Sequence, residues 1–215
     1  KELSSIPNSL RKVEAMSVLT IAITQVQDLN GFVNASNEFG KDRVLEMGCK
    51  HTQIAKIIMG GEAAGLVGVS FEWDSVDAAI AGSNAINGDS QMTQMMGDVG
   101  VSVVRRSVLE IMGEQGDRSG EFNTCLYMGG NTNTAEGIET GWKHMQAGAT
   151  GMCVTRSVAS GISPWTGAIF CWTDSVDALL TASVNAFSDP DQQEIMAKNN
   201  LQPMGRVITQ VLSSS

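Results

Sequence analysis

The sequence offers few side chains that could carry out catalysis. Histidine is the commonest general base in enzymes, and the chain has two, His51 and His144, which do not occupy equivalent positions of the repeat described below. Cys49 and His51 form one close pair of metal-ligand types, but nothing nearby completes the three or four ligands that a metal needs. We therefore predict no catalytic, cofactor-binding or metal-binding residues and no cofactor, which favours a protein that is not an enzyme.

Carboxylates beside tryptophan recur in the chain and suggest acid–base chemistry at first sight. The motif Trp-Asp-Ser-Val-Asp-Ala at 73–78 returns as Trp-Thr-Asp-Ser-Val-Asp-Ala at 172–178, with one residue inserted. Each copy follows an apolar run and precedes a helical pattern, where Asp74 and Asp174 would cap a helix and Asp77 and Asp177 would favour its positive end. Capping explains these carboxylates fully, so we favour a structural role over a paired acid and base.

The bulk composition excludes several classes of protein. With 42% hydrophobic and 17% charged residues the chain can bury a core. Its net charge of −9 leaves no basic surplus for nucleic-acid phosphates, and no apolar stretch approaches the roughly 20 residues of a membrane span. The four cysteines lack CxxC spacing, which favours free, buried thiols in a reducing compartment.

Apolar periodicity in the first half predicts a strand, a helix, two strands, two helices and a strand. A β-branched run at 18–23 begins this order, and a long strand at 101–112 ends it. In the helix after Asp74 the inner face is predicted to hold Val76, Ala79, Ile80 and Ser83. Residues 1–16 precede this unit and are predicted to form an extended N-terminal arm. The arm is either a free terminus or a segment that docks on a neighbouring subunit.

The second half repeats the order almost element by element. Its second helix would bury Val176, Leu179, Leu180 and Val184, and Asp189-Pro190 is a strong start signal for the short helix that follows. Arg206 falls opposite Arg106. The sequence thus predicts an N-terminal arm (1–16) and two α+β repeats (17–116 and 120–215), each with the ferredoxin-like order βαββα(α)β. Because a lone repeat would expose one face of its sheet, we expect the two to pair as an intramolecular pseudo-dimeric α+β barrel.

These motifs resemble those of a known superfamily. An apolar strand ending in aromatic-x-Trp, the Asp-Ser-x-Asp-Ala helix start and the Arg-bearing last strand are similar to the dimeric α+β-barrel proteins, which include the antibiotic-biosynthesis monooxygenases. In that branch aromatic and amide side chains line a substrate cavity without a cofactor. The resemblance makes Trp73, Trp172, Tyr127 and Asn123 the residues to test, although core packing is the commoner role of large aromatics.

As a whole, the two-repeat chain is similar to the diatom pyrenoid-shell proteins. That resemblance implies a structural protein that assembles with itself into a sheet or shell around Rubisco, in the pyrenoid of the chloroplast stroma, with other shell paralogues or Rubisco as further partners. The sequence starts at Lys1 without an initiator methionine, so we expect either a mature form or a part of something longer. A pseudo-symmetric unit that presents similar surfaces twice suits a propagating lattice.

Two functional hypotheses follow. One is the self-assembling structural protein, supported by the duplication and by the poverty of catalytic side chains. The other is a cofactor-independent monooxygenase or a small-molecule-binding barrel, which would need an asymmetric cavity with a polar group facing inward. The sequence favours the first.

Overall fold

The computed structural model describes residues 17–132 and 135–215, and these form a closed barrel of eight strands. The predicted N-terminal arm lies outside the described residues. Among those described, no helix has the length and apolar character needed to cross a membrane. The fold class predicted from the sequence, two ferredoxin-like repeats that pair within one chain, is confirmed. The boundaries given for the repeats, 17–116 and 120–215, stay a prediction.

The first repeat contains four strands and four helices, with the first two helices joined by a π-helical segment, Ser36–Gly40. The elements are β1 (Val18–Gln25), α1 (Leu29–Ala35), α2 (Lys41–Glu46), β2 (His51–Met59), β3 (Val67–Trp73), α3 (Val76–Gly88), α4 (Ser90–Asp98) and β4 (Ser102–Gly116).

The second repeat has the same order with a single helix in place of the first two. Its elements are β5 (Phe122–Gly129), α5 (Ala135–Met145), β6 (Gly151–Ala159), β7 (Gly167–Thr173), α6 (Val176–Ser188), α7 (Pro190–Lys198) and β8 (Gln202–Ser214).

The barrel consists of two four-stranded sheets joined along two seams. The strand order is β1-β3-β2-β8-β5-β7-β6-β4, and every neighbouring pair is antiparallel. The pairs β2–β8 and β4–β6 join one repeat to the other. Without these pairs each sheet would have two open edges and an uncovered apolar face, so the seams supply what a single repeat lacks. An eight-stranded barrel has an interior just wide enough to be filled by side chains or to hold one small ligand.

Strand alternation divides the buried residues into three cores. One lies between α1–α4 and the outer face of the first sheet and contains Trp73 and Val67. Another lies between α5–α7 and the second sheet and contains Ile138 and Leu179. The third, with Trp172 among its members, fills the barrel interior. Each strand therefore buries both faces, one against helices and one inside the barrel.

The two repeated tryptophans face opposite sides of the sheet, contrary to the expected equivalence. Leu19 pairs with Glu72, and Asn123 pairs with Trp172, so Trp172 corresponds to Glu72. The residue inserted in the second motif moves its tryptophan one position back along the strand, and a shift of one position reverses the face. Trp73 packs under α3 and donates from Nε1 to Thr20 Oγ1 at 3.0 Å.

Serine, and not aspartate, caps the helix after each motif. The side chains of Ser75 and Ser175 accept from the backbone N–H groups three residues later, at 3.1 and 3.3 Å. Asp174 instead accepts from the N–H of Glu121 at 3.0 Å, which ties the helix start to β5. The predicted cap at Asp189 before Pro190 is confirmed.

The predicted inner faces of α3 and α6 were each wrong at one apolar position. Ile80 is 54% exposed and Val184 is 64% exposed. The buried face of α3 consists of Ala79, Gly82 and Ile86, and that of α6 contains Leu179 and Ala182. Ile80 and Val184 lie outside these faces.

The contact between α3 and Trp73 gives a test of this packing. A Cβ at Gly82 would lie 2.1 Å from the Trp73 ring, so Gly82→Ala should destabilise the protein by about 1–2 kcal/mol even though alanine favours helices. Gly97 in α4 has no neighbour within 4 Å of an added Cβ, so the control Gly97→Ala should stabilise by about 0.5–1 kcal/mol. Urea unfolding measures both. Equal stabilisation by the two substitutions would contradict the described packing.

Candidate functional site

The interior of the barrel holds a cavity of about 90 Å³. The aliphatic part of the lining includes Leu19, Ile21 and Ile23 of β1, and all of its aromatic side chains other than His51 come from the second repeat. The lining residues used below are His51, Gln53, Arg105, Ser107, Arg118, Asn123, Tyr127, Trp165 and Trp172. Because the two repeats place different residues on the inward face, the cavity is asymmetric although the fold is duplicated.

Three buried polar atoms in this lining have no hydrogen-bond partner among the protein groups of residues 17–132 and 135–215. They are Gln53 Nε2, Ser107 Oγ and Asn123 Nδ2, on side chains of residues that are only 6%, 4% and 6% exposed. A buried polar group without a partner costs about 1–3 kcal/mol. Three such groups on one cavity make it the place in the barrel where a bound molecule would recover the most hydrogen bonding.

The orientation of the Gln53 amide follows from its neighbour. Trp172 donates from Nε1 to Gln53 Oε1 at 3.1 Å, and an indole nitrogen can only donate. The oxygen of Gln53 must therefore face Trp172, which directs the Nε2 donor into the cavity. Trp172 thus has a positioning role in addition to filling space.

An ion-pair cluster closes the end of the barrel where β1, β2, β5 and β6 begin. Arg118 donates to Glu72 at 2.8 Å and from Nε to Glu114 at 2.7 Å, and its guanidinium lies 5.8 Å from the centroid of the Trp172 ring. The Arg118 and Glu72 side chains are each 15% exposed. We refer to Arg118, Glu72 and Glu114 as the ion-pair cluster, and its Arg118 lines the cavity.

Aromatic residues close the opposite end. The rings of Tyr127 and Trp165 are 5.2 Å apart between centroids, and Arg105 donates to the Tyr127 hydroxyl at 3.2 Å. Burial, more than any other influence, raises the pKa of Tyr127, so its phenol is neutral at pH 7. The cavity therefore lies between an ionic closure and an aromatic one.

The titratable groups near the cavity suit binding better than nucleophilic catalysis. Burial raises the pKa of Cys125 to about 12, which keeps the thiol protonated and unreactive. Burial, together with the nearby Arg118 charge, lowers the pKa of His51. His51 is thus a neutral imidazole at pH 7 and could accept a proton.

Three of the four residues suggested by the resemblance line this cavity. Trp172, Tyr127 and Asn123 do so, and Trp73 does not because it faces the helices. Sequence reasoning missed Gln53, Ser107 and Arg118. Gln53 and Ser107 lie in strands that contain other polar residues, so the sequence gives no clear signal, and their inward direction depends on the register of the closed barrel.

The other chemically notable residues lie away from the cavity. His144 pairs with Asp189 at 2.8 Å on the helical side of the second repeat. Asp74, Asp77, Asp174 and Asp177 are exposed. All four cysteines are buried and unpaired. In the part of the chain that the structure describes, no three His, Cys, Asp or Glu side chains are grouped to hold a metal ion.

Comparisons with solved structures identify the fold. A candidate chlorite dismutase superposes with a TM-score of 0.60 at 9% identity, over 92% of this chain and 95% of that one. A candidate monooxygenase from Lactobacillus acidophilus gives 0.56 at 10%, over 93% and 96%. A heme-binding protein from Thermus thermophilus gives 0.55 at 10%, over 97% and 95%. No protein-family model and no curated protein matches the sequence. At these identities the likeness extends to the fold alone.

The closure formed by Arg118 can be tested by stability measurements. Arg118→Gln leaves two partly buried carboxylates without their partner and should destabilise the protein by about 2–4 kcal/mol. Arg156, 45% exposed and paired with Glu110, is the matched control, and Arg156→Gln should cost no more than about 1 kcal/mol. Chemical denaturation at neutral pH compares the two. Similar small losses would show that the cluster does not stabilise the barrel end.

Proposed function

We propose that this protein binds a small molecule inside its barrel, by hydrogen bonds to acceptor atoms of the ligand. The presence of three unpartnered buried polar atoms in the lining of one cavity carries the proposal. An asymmetric cavity with inward-facing polar groups is also what a small-molecule-binding barrel requires and a merely structural one does not. Solved structures of this fold include proteins named as monooxygenases and as heme-binding, which supports a ligand-binding role for the architecture.

The lining favours a ligand with negative or strongly polar oxygen atoms. Gln53 and Asn123 present amide N–H donors, and Ser107 can donate as well. Arg105 also lines the cavity, whereas no aspartate or glutamate does among the described residues. Arg118 lines it too, but its charge is already paired with Glu72 and Glu114. A small carboxylate or carbonyl compound would therefore find donors on several sides within a chain whose net charge is −9.

The volume of the cavity limits the size of that ligand. About 90 Å³ exceeds what one ordered water needs, roughly 10–15 Å³, but is smaller than the cavity of about 150 Å³ that accepts benzene. Pockets for drug-sized ligands begin near about 300 Å³. A molecule of a few non-hydrogen atoms fits, and haem does not, although His51 is in the lining.

Catalysis would need one further element, a base close to the ligand. His51 is the histidine that lines the cavity, and its lowered pKa leaves it neutral and able to accept a proton. In a cofactor-independent oxidation, with molecular oxygen as the oxidant, His51 would accept a proton from the substrate, and Gln53 and Asn123 would bind the oxyanion that results. Binding requires only the donors already in place and is the better supported function.

Removing an unpartnered donor should weaken ligand binding and stabilise the ligand-free protein. Without ligand, Ser107→Ala should stabilise the protein by about 1 kcal/mol, because it removes a buried hydroxyl that has no partner. Thr155→Val is the control, since Thr155 Oγ1 donates to the Ala168 carbonyl at 2.9 Å and its loss should cost about 1 kcal/mol.

Formate, acetate, glyoxylate and pyruvate are tested as ligands by measuring the Tm of the protein in the presence of each compound. A ligand at one hundred times its Kd stabilises the folded state by about 2.7 kcal/mol, and Asn123→Leu should abolish that gain while leaving the protein folded. The proposal fails if none of these compounds raises the Tm and Ser107→Ala destabilises the protein as Thr155→Val does.

A second candidate function, self-assembly into a sheet or shell, is favoured by a different observation. The strand β4 extends past the end of β6, so residues 102–107 pair only with β1. In the second repeat, residues 202–207 of β8 likewise pair with β5 but not with β2. Exposed strand edges are templates for pairing with another chain. Two related edges on one subunit would allow contacts to propagate.

Exposed apolar side chains accompany both strand edges at the same end of the barrel. Val104 is 57% exposed beside the β4 edge, and Met204 is 45% exposed beside the β8 edge. Met59 and Val158, at the ends of β2 and β6, are 63% and 47% exposed. By the resemblance to pyrenoid-shell proteins, the assembly would be a shell in the chloroplast, with further copies, shell paralogues or Rubisco as partners. These remain proposals.

Assembly is tested by placing charge on the two edges. If the edges pair, the double substitution Val104→Lys and Met204→Lys should convert large assemblies into small particles, because lysine on an edge strand opposes pairing. Val184→Lys, on an exposed apolar position of α6, is the control and should leave assembly unchanged. Negative-stain microscopy and sedimentation over a range of salt and protein concentration measure both. Monodisperse particles of the unmodified protein throughout that range would exclude this function.

A further inference from the structure

A second cavity, of about 80 Å³, lies between the helices of the second repeat and the outer face of its sheet. It is distinct from the barrel cavity because β7 contributes Ile169 and Cys171 to one and Phe170 and Trp172 to the other. Most of its wall is aliphatic or methionine. Its polar side chains include Ser183, Gln192 and Arg206.

Arg206 lies in this wall without an acidic partner. Its guanidinium donates from Nη2 to Ser183 Oγ at 2.7 Å, and no carboxylate of the described residues forms an ion pair with it. Burial lowers the pKa of Arg206, but the group remains charged at neutral pH. A half-buried guanidinium with unused donors, beside a hydroxyl that can itself donate, is suited to a carboxylate.

Gln192 gives an independent sign of a ligand in the same cavity. The residue is 9% exposed, and its Oε1 is buried with no hydrogen-bond partner in the described part of the protein. In the first repeat the corresponding residue is Met92, since Asp89 and Asp189 cap the two helices at the same position. The second repeat therefore places a polar group where an apolar one would satisfy the packing.

We propose that this cavity is a second binding site, for a small amphipathic carboxylate. The carboxylate accepts hydrogen bonds from Arg206 and Ser183, the carbon chain lies against the methionines, and a hydroxyl on the ligand donates to Gln192. The volume admits a chain of roughly four carbons, by comparison with the benzene-sized cavity of about 150 Å³.

The first repeat supplies an internal control. An equivalent cavity of about 90 Å³ contains Arg106 and Ser83 but has Met92 in place of the glutamine. Arg106 is exposed, whereas Arg206 is half-buried. The first cavity is therefore expected to bind a carboxylate much more weakly, and Arg106→Gln serves as the matched variant of Arg206→Gln.

The test uses butyrate and its 2-, 3- and 4-hydroxy derivatives as probes of the full chain. Methionine methyl NMR identifies the site, because methionines line this cavity and the one in the first repeat but not the barrel cavity. Butyrate should shift the methyl signals of the four methionines that line this cavity, which are Met128, Met145, Met152 and Met196. One hydroxybutyrate isomer should bind more tightly than butyrate.

Substitutions then assign the contacts. Arg206→Gln should weaken binding of every probe tenfold or more, Arg206→Lys should retain part of it, and Arg106→Gln should have no effect. Gln192→Met should remove the advantage of the hydroxyl and leave butyrate binding within twofold. The Arg206→Lys variant and circular dichroism separate loss of binding from loss of folding. Absence of methyl shifts at millimolar butyrate, or equal effects of Arg206→Gln and Arg106→Gln, would overturn the site. Neither result bears on the barrel cavity.

Discussion

Closure of the two sheets along the β2–β8 and β4–β6 seams is the constraint on which the rest of the structure depends. Once the barrel is closed, every strand has an inner and an outer face, and each residue is assigned to one of them by the alternation of the strand. The helices must then cover both outer faces. Three separate cores result from this one pairing, and each can change its chemistry without disturbing the other two.

The two repeats place different residues in the barrel interior. Where the first repeat places Glu72, the second places Trp172, and where the first has Leu19, the second has Asn123. Glu72 then pairs with Arg118, while Trp172 lies under the same guanidinium and orients Gln53. A symmetric interior could not produce this combination. The asymmetry gives the cavity one ionic end and one aromatic end.

The fold could be predicted from the sequence because each of its elements has a pattern that can be seen within one short segment. Apolar periodicity, the Asp189-Pro190 helix start and the repeated motif all indicate elements without reference to their neighbours. The site could not be predicted to the same extent. Trp73 and Trp172 look equivalent in the sequence, but one inserted residue places them on opposite faces, and only the strand register reveals it. Likewise, nothing local shows that Gln53 and Ser107, on different strands, face the same cavity.

The two candidate functions make different demands on the same molecule. A subunit selected only for self-assembly would gain stability by filling its barrel with apolar side chains, since each unpartnered buried donor costs about 1–3 kcal/mol. Gln53, Ser107 and Asn123 remain polar, which argues that the interior has a purpose beyond packing.

The unpaired edges of β4 and β8 are the corresponding reason to expect self-assembly at the surface. Pro203 and Arg206 limit pairing on the β8 edge, and Arg105 and Arg106 place charge on the β4 edge. Both edges are thus partly protected against pairing, whereas no protein group of the described residues satisfies the interior donors. The case for a ligand in the interior is therefore stronger than the case for assembly through the edges.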